Sequence, residues 1–149
     1  IDPAADYPSA LVSRGATVRT NKRQIPAEQF FTGMFETALE RDEIVTAVHF
    51  PKPQKAGYAK FRNPASRYAV VGVFVAQTGS GVRVAVTGAG PSVFRSTELE
   101  QALAGGLSPD AVEGVTIPAG DLNSDIHASA DYRAHLVKVM AKRALQNVK

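Results

Sequence analysis

Alternating apolar and polar residues define the middle of the chain. Two alternating runs, YAKFR and VRVAVTGAG, flank a nearly continuous apolar run, AVVGVFVAQ. The segment TGSG, between the second and third runs, is typical of a hairpin turn. This pattern predicts an antiparallel three-stranded sheet. Upstream, ATVRT and EIVTAVHFP predict two further strands, and RQIPAEQFF predicts a short strand leading into a helical turn.

Helical signals dominate the two ends of the chain. Asp2 followed by Pro3 predicts a helix start, with a short helix over residues 4–13 that Gly15 ends. A longer helix is predicted to begin near Ser129. Its apolar face would carry Tyr132, Leu136, Val139, Met140 and Ala144, with Arg133, Lys138 and Lys142 elsewhere.

Two shorter helices are predicted between the sheet and the last helix. Thr97 and Glu100 have the spacing of a capping box, and Gly105 follows the apolar residues that would end that helix. Ser108 with Pro109 starts another. Because helices follow the strands, we expect an α+β fold with helices covering one face of the sheet.

The segment PKPQKAG, residues 51–57, is the best candidate linker. Two prolines, two lysines and a glycine are poorly suited to a strand ladder or a packed helix. We therefore expect a domain boundary here, between one domain ending at residue 52 and a second covering residues 53–149.

Composition narrows the function classes. The chain has no cysteine, and its histidines at 49, 127 and 135 are too dispersed to suggest a metal site. The net charge is +3, but the basic residues are spread out, so a nucleic-acid partner is not expected. No apolar run approaches the roughly 20 residues of a membrane span, and we expect a cytoplasmic protein.

Local motifs for a self-contained catalytic site are weak. The glycine-rich stretch TGAGP has a proline where a phosphate-binding helix would begin, and a strand-ending turn explains it better. Asp42 with Glu43, and Asp121 with Asp125, sit in turn or cap contexts. The opening IDPAADYP lacks a methionine and a signal-peptide pattern, so we expect the interior of a longer polypeptide.

Five motifs together resemble the FAD-binding medium subunit of molybdenum hydroxylases, the carbon monoxide dehydrogenase and xanthine dehydrogenase family. In chain order they are DPAADYPSAL, IPAEQFFTGMFETALERDEIVTAVHFP, YAKFRNPASRYAVVGVFVA, TGAGPSVFR and DIHASADYRAHLVKVMAKRAL. The resemblance implies that residues 1–52 end an FAD-binding α+β domain and that residues 53–149 form the family's C-terminal domain. It also implies that the glycine-rich loops holding the FAD diphosphate lie upstream of Ile1.

The resemblance assigns two cofactor contacts before the linker. Asp6 matches an aspartate that contacts the flavin cofactor, and a carboxylate accepts hydrogen bonds from ribityl or ribose hydroxyls. A carboxylate in the first turn of a helix explains Asp6 equally well. Val45 matches a strand residue beside the flavin, with plain core packing as the alternative.

Three further contacts are assigned after the linker. Arg62 matches a basic residue that approaches the cofactor, with Lys60 as the less favoured candidate on the same strand face. A solvated strand edge is the alternative for both. Tyr68 matches an aromatic position near the isoalloxazine, where a ring could stack on the flavin; an ordinary strand-start tyrosine is the alternative. Arg67 departs from the family pattern and adds positive charge beside this position.

The resemblance implies a role in electron transfer. In the family, a large subunit with the molybdenum cofactor oxidises the substrate, a small subunit with two 2Fe-2S clusters carries electrons, and FAD delivers them to an external acceptor. The chain alone would then be inactive and bind FAD poorly. The competing hypothesis is a structural or protein-interaction domain that never contacts a flavin. Substrate, electron acceptor and oligomeric state stay open.

Overall fold

The computed structural model describes residues 1–149, which form nine strands and four α-helices. The strands are β1 (Thr17–Thr20), β2 (Gln24–Pro26), β3 (Phe31–Gly33), β4 (Glu36–Thr37), β5 (Val45–His49), β6 (Lys55–Arg62), β7 (Ala69–Thr78), β8 (Gly81–Thr87) and β9 (Phe94–Arg95). The helices are α1 (Tyr7–Ser13), α2 (Ala27–Phe30), α3 (Thr97–Ala102) and α4 (Ala130–Gln146), with a 3₁₀ turn at Pro109–Val112. No helix is long and apolar enough to cross a bilayer.

The strands form three antiparallel sheets, and the mixed α+β class is confirmed. Their orders are β2-β1-β5, β3-β4 and β6-β7-β8-β9. The three strands predicted after the linker are present, and Gly79 and Ser80 form the turn between β7 and β8. The fourth strand, β9, has two residues and pairs with β8 at Ala85 and Val86. A strand this short has no alternation that a sequence pattern can show.

Helix α4 covers one face of the four-stranded sheet. Its buried side chains include Leu136, Val137 and Met140, which belong to the same apolar core as the valines of β7 and β8. Gly57 of β6 makes this approach possible. A Cβ at this position would lie 2.1 Å from the backbone oxygen of Ala144 in α4.

Helix α1 precedes the linker in the chain, yet it packs on the four-stranded sheet, which follows the linker. Its Leu11 and Val12 share a second apolar cluster with Ala85 of β8 and with Val93. Residues before and after the linker therefore pack against each other. The linker is shorter than predicted, because β6 already begins at Lys55.

The predicted start of the first helix is wrong. Asp2 accepts a hydrogen bond from the Ala4 amide at 2.8 Å and closes a separate turn, and α1 begins at Tyr7 with Pro8 in its first turn. The carbonyls of residues 3–5 accept hydrogen bonds from the four-stranded sheet and so do not form a helical turn. The predicted end is confirmed, since Gly15 follows the helix with φ +62°.

Two other local predictions were wrong. Ser96, not Thr97, is the N-cap of α3, and the Glu100 carboxylate accepts from the Val84 amide and from Arg95 instead of closing a capping box. In α4, Arg133 was expected away from the apolar face but is buried, because its guanidinium donates to backbone carbonyls beneath the helix.

Candidate functional site

The N-terminal segment, residues 2–6, is fastened to one end of the four-stranded sheet. The Thr87 hydroxyl oxygen lies 2.7 Å from two of the segment's carbonyl oxygens. The Gly88 amide donates to the Pro3 carbonyl at 2.7 Å, and the Ala69 amide donates to the Ala4 carbonyl at 3.2 Å. These four contacts fix the segment, which has no regular secondary structure and whose last residue is Asp6.

Gly88 allows this attachment. Its φ is +79°, and a Cβ at this position would lie 2.3 Å from the carbonyl oxygen of Ala69. Only glycine combines this conformation with this approach. The stretch TGAGP is thus a strand-ending turn, as predicted.

A charged cluster connects the segment to β6. The Asp6 carboxylate accepts two hydrogen bonds from Lys60 Nζ, at 2.9 and 2.8 Å, and one from the Tyr58 hydroxyl at 2.5 Å. The Lys60 side chain is 17% exposed and that of Asp6 is 49% exposed. Of the predicted site residues, Asp6 and Lys60 are therefore in direct contact.

Arg62 is the last residue of β6, two positions after Lys60, a spacing that places side chains on one face of a strand. The pairing of β6 with β7 shifts in register between Phe61 and Arg62. Arg62 is exposed, and its guanidinium has no acceptor in the protein. Burial, together with the hydrogen bond to Asp6, raises the pKa of Tyr58, and the Arg62 charge partly offsets this rise. The charge of Lys60 is therefore compensated by the Asp6 carboxylate, whereas the charge of Arg62 is not compensated by any carboxylate of the protein.

Tyr68 stands at the end of the loop after β6. The Asn63 side-chain oxygen accepts from the amides of Ala65 and Ser66, and the Asn63 amide donates to the Tyr68 carbonyl at 2.8 Å. These bonds close the loop and leave the Tyr68 side chain 48% exposed. Arg67, which the sequence analysis interprets as a departure from the family pattern, has φ +62° in this loop.

A pocket of about 220 Å³ lies between this loop and the N-terminal segment. Arg133 forms part of its wall, donating to the carbonyls of Val70 and Gly88 at 2.7 and 3.1 Å and to Asp125 at 2.7 Å. Burial opposes ionisation of Asp125, but hydrogen bonds from two backbone amides and the Arg133 charge hold its pKa below the usual range. Arg133 therefore joins β7, the Gly88 turn and the loop before α4.

Val45 is placed differently from the other predicted residues. It lies in β5, at the edge of the three-stranded sheet, whereas Lys60 and Arg62 lie in the four-stranded sheet. It is 43% exposed, so the alternative of plain core packing does not apply. The structure does not join Val45 to the cluster on β6.

Sequence reasoning missed the residues that support the site: Tyr58, Thr87 and Arg133. Side chains two positions apart on a strand share a face. The spacing that places Lys60 and Arg62 on one face therefore also places Tyr58 there, and sequence analysis could have identified it. Thr87 and Arg133 act on backbone carbonyls distant in sequence, and no local pattern indicates such contacts.

Comparison with protein families matches nearly the whole chain. Residues 1–53 match the family described as FAD binding domain in molybdopterin dehydrogenase. Residues 56–148 match the family described as CO dehydrogenase flavoprotein C-terminal domain.

Individual relatives agree with these matches. The nicotine 6-hydroxylase medium subunit of Paenarthrobacter nicotinovorans is 34% identical over 97% of this chain and 56% of the relative. The glyceraldehyde dehydrogenase medium chain of Sulfolobus acidocaldarius is 30% identical over 99% of this chain and 58% of the relative. The reconstituted CO dehydrogenase from Oligotropha carboxidovorans superimposes with a TM-score of 0.79 at 25% identity, covering 98% of this chain and 57% of that one. The chain thus spans a little over half the length of these relatives.

Proposed function

The chain belongs to the FAD-binding medium subunits of the molybdenum hydroxylase family, since its residues 56–148 match the CO dehydrogenase flavoprotein C-terminal domain, and from this premise we propose that it carries the flavin contacts of an electron-transferring oxidoreductase complex. In this proposal electrons pass from a molybdenum centre through 2Fe-2S clusters to FAD and on to an external acceptor. In this proposal the complex is of the carbon monoxide dehydrogenase / xanthine dehydrogenase type.

The observation that carries the proposal is the convergence of cofactor-type groups at one end of the four-stranded sheet. Asp6 and Lys60 form a paired acceptor and donor suited to ribityl or ribose hydroxyls. Arg62 offers an uncompensated positive charge to the anionic part of FAD, and Tyr68 offers an exposed ring to the isoalloxazine. Val45 would add an apolar contact from the other sheet.

The donor set fits part of FAD better than the whole. A diphosphate carries two negative charges, and among the proposed contacts Arg62 is the one cation without a protein partner. The site residues therefore suit the hydroxyls and the isoalloxazine ring of FAD but not its diphosphate. We propose that these 149 residues alone retain FAD poorly and are inactive. Bound FAD would supply the one- and two-electron redox chemistry.

The proposed partners are a large subunit with the molybdenum cofactor and a small iron-sulfur subunit, in a cytoplasmic complex. The names of the relatives refer to nicotine, glyceraldehyde and carbon monoxide, which are chemically unrelated. This diversity supports a division in which substrate chemistry belongs to another subunit. The small polar cluster on β6 has no substrate role in this proposal.

The test is the flavin content of the complete subunit, purified from its own cells together with any subunits that bind it. We expect a yellow complex containing FAD, molybdenum and iron-sulfur clusters. Arg62→Glu should reduce FAD occupancy, because it reverses the uncompensated charge. Arg41→Glu is the matched control, since Arg41 is also exposed and has no acceptor in the protein.

Two results would contradict the proposal. A colourless complete subunit that copurifies with no partner would favour a structural or interaction domain. Equal FAD occupancy in Arg62→Glu and Arg41→Glu would remove Arg62 from the site.

A further inference from the structure

The Asp6 carboxylate is not oriented by its own helix. Asp6 occupies the N-cap position of α1, yet its side chain makes no capping hydrogen bond. All of its side-chain hydrogen bonds come from β6, namely from Tyr58 and Lys60. The position of the carboxylate is therefore set by these two donors.

The two donors differ greatly in stiffness. Lys60 ends a flexible four-carbon chain, and its ammonium has Asp6 as its one protein partner. Tyr58 has two side-chain torsions, and its ring lies against Phe74 with a centroid distance of 5.8 Å. The rigid member of the cluster is thus the tyrosine.

Gly72 provides the space that the Tyr58 ring occupies. Gly72 is paired with Lys60 on the neighbouring strand, and a Cβ on it would lie 2.6 Å from the Tyr58 hydroxyl oxygen. Any other residue at position 72 would displace the hydroxyl. The sheet therefore leaves a notch in which the hydroxyl is held beside Asp6.

We infer that Tyr58 is a positioning residue of the proposed flavin site, which fixes the Asp6 carboxylate and through it the Lys60 ammonium. The inference rests on the proposed function, in which Asp6 and Lys60 contact FAD. Tyr58 itself does not touch the cofactor in this scheme. The Tyr58 hydroxyl is held by the rigid sheet and binds Asp6, which in turn binds Lys60. This restricts the Lys60 side chain, which would otherwise sample many rotamers.

The test is a double-mutant cycle on FAD affinity in the complete subunit. Tyr58→Phe keeps the ring and removes the hydroxyl, and we expect the Kd for FAD to rise about three- to ten-fold. In an Asp6→Ala background the same substitution should change the Kd less than about two-fold, because the carboxylate that the Tyr58 hydroxyl positions is gone. Tyr132→Phe is the matched control, since the Tyr132 hydroxyl makes no hydrogen bond in the protein.

A second readout separates positioning from a contribution to folding alone. A fixed positive charge near a flavin favours the reduced, more negative form, so losing it lowers the midpoint potential. Tyr58→Phe and Lys60→Met should therefore lower the potential of bound FAD in the same direction. Tyr132→Phe should leave it unchanged.

The possible results separate the inference about Tyr58 from the proposed flavin contacts of Asp6 and Lys60, on which it rests. If Asp6→Asn and Lys60→Met both leave the Kd for FAD unchanged, the proposed flavin contacts fail and the inference fails with them. If these variants weaken binding and Tyr58→Phe does not, only the inference is overturned. An equal effect of Tyr58→Phe with and without the Asp6 carboxylate would also overturn it.

Discussion

Strands β5 and β7 are both rich in β-branched residues, yet their surroundings are opposite. β7 lies between β6 and β8 and is buried along most of its length, whereas every residue of β5 is exposed. β5 pairs with β1 alone and forms the edge of its sheet. Residue type therefore predicts that a segment forms a strand, whereas the neighbouring strands and helices decide how far that strand is buried.

The two sheets are also stabilised differently. The four-stranded sheet is held by apolar packing against α4. The three-stranded sheet relies in part on the buried Glu43 carboxylate, which accepts from the Thr20 hydroxyl at 2.6 Å, from Arg23 at 3.0 Å and from the Glu40 amide at 3.0 Å. Core mutations and acid should therefore affect the two sheets unequally.

The largest effect is expected where β6 meets α4. Gly57→Ala places a methyl group against the backbone of the helix and should lower the free energy of unfolding by about 3 kcal/mol. Urea denaturation measures the change. Gly79→Ala is the matched control, because a Cβ there would meet nothing within 4 Å. Equal stability of the two variants would refute the close packing of β6 on α4.

The next effect concerns the buried centre of β7. Val75→Thr keeps the shape of the side chain but buries a hydroxyl in an apolar core, which should cost about 2 kcal/mol. Thermal and urea unfolding both report this loss. A fully stable variant would mean that β7 is less enclosed than described.

A smaller, pH-dependent effect is expected in the three-stranded sheet. The Arg23 guanidinium, with the Thr20 hydroxyl and the Glu40 amide, lowers the pKa of Glu43 to about 2 from an ordinary value of 4.5. Because the pKa is depressed by folding, the stabilisation is complete above the ordinary value and is lost as the pH falls toward 2. The melting temperature should therefore fall more steeply in acid for the wild type than for Glu43→Gln.

The control for this prediction is Glu36→Gln, which changes an exposed carboxylate with no ionic partner in the protein. Its acid profile should follow that of the wild type. Parallel profiles for the wild type and Glu43→Gln would show that the Glu43 contacts contribute nothing to stability.

The smallest effect is expected on the open strand. Val48 is 37% exposed in β5, so Val48→Thr should change the free energy of unfolding by less than about 0.5 kcal/mol. The same substitution at Val75 provides the comparison. A loss at Val48 as large as that at Val75 would mean that β5 is covered in solution.

The fold was predictable from sequence where its causes are local. The β7–β8 hairpin follows from the alternation and the TGSG turn, and the end of α1 follows from Gly15. The start of α1 was not predictable, because carbonyls that a helix would use are bound by Thr87. The role of Glu100 was missed for the same reason, since it bonds Arg95 and β8.

The sequence indicates candidate site residues one by one, but it does not indicate their arrangement. Asp6 and Lys60 were each indicated by resemblance, yet they lie 54 positions apart in the chain and nothing local predicts that they pair. The supporting hydroxyl of Tyr58 was missed, although it shares a strand face with Lys60. Pairing across such separations depends on tertiary packing, which local patterns do not record.

The attachment of residues 2–6 to Thr87 and Gly88 has a consequence for the order of folding. The contact with Thr87 spans 84 positions, so a long loop must close before it forms. Residues 2–6 must therefore wait for the β7–β8 hairpin before they acquire their final place. In pulsed hydrogen exchange during refolding, the Ala69 and Gly88 amides, whose acceptors lie in this segment, should gain protection after those inside the hairpin.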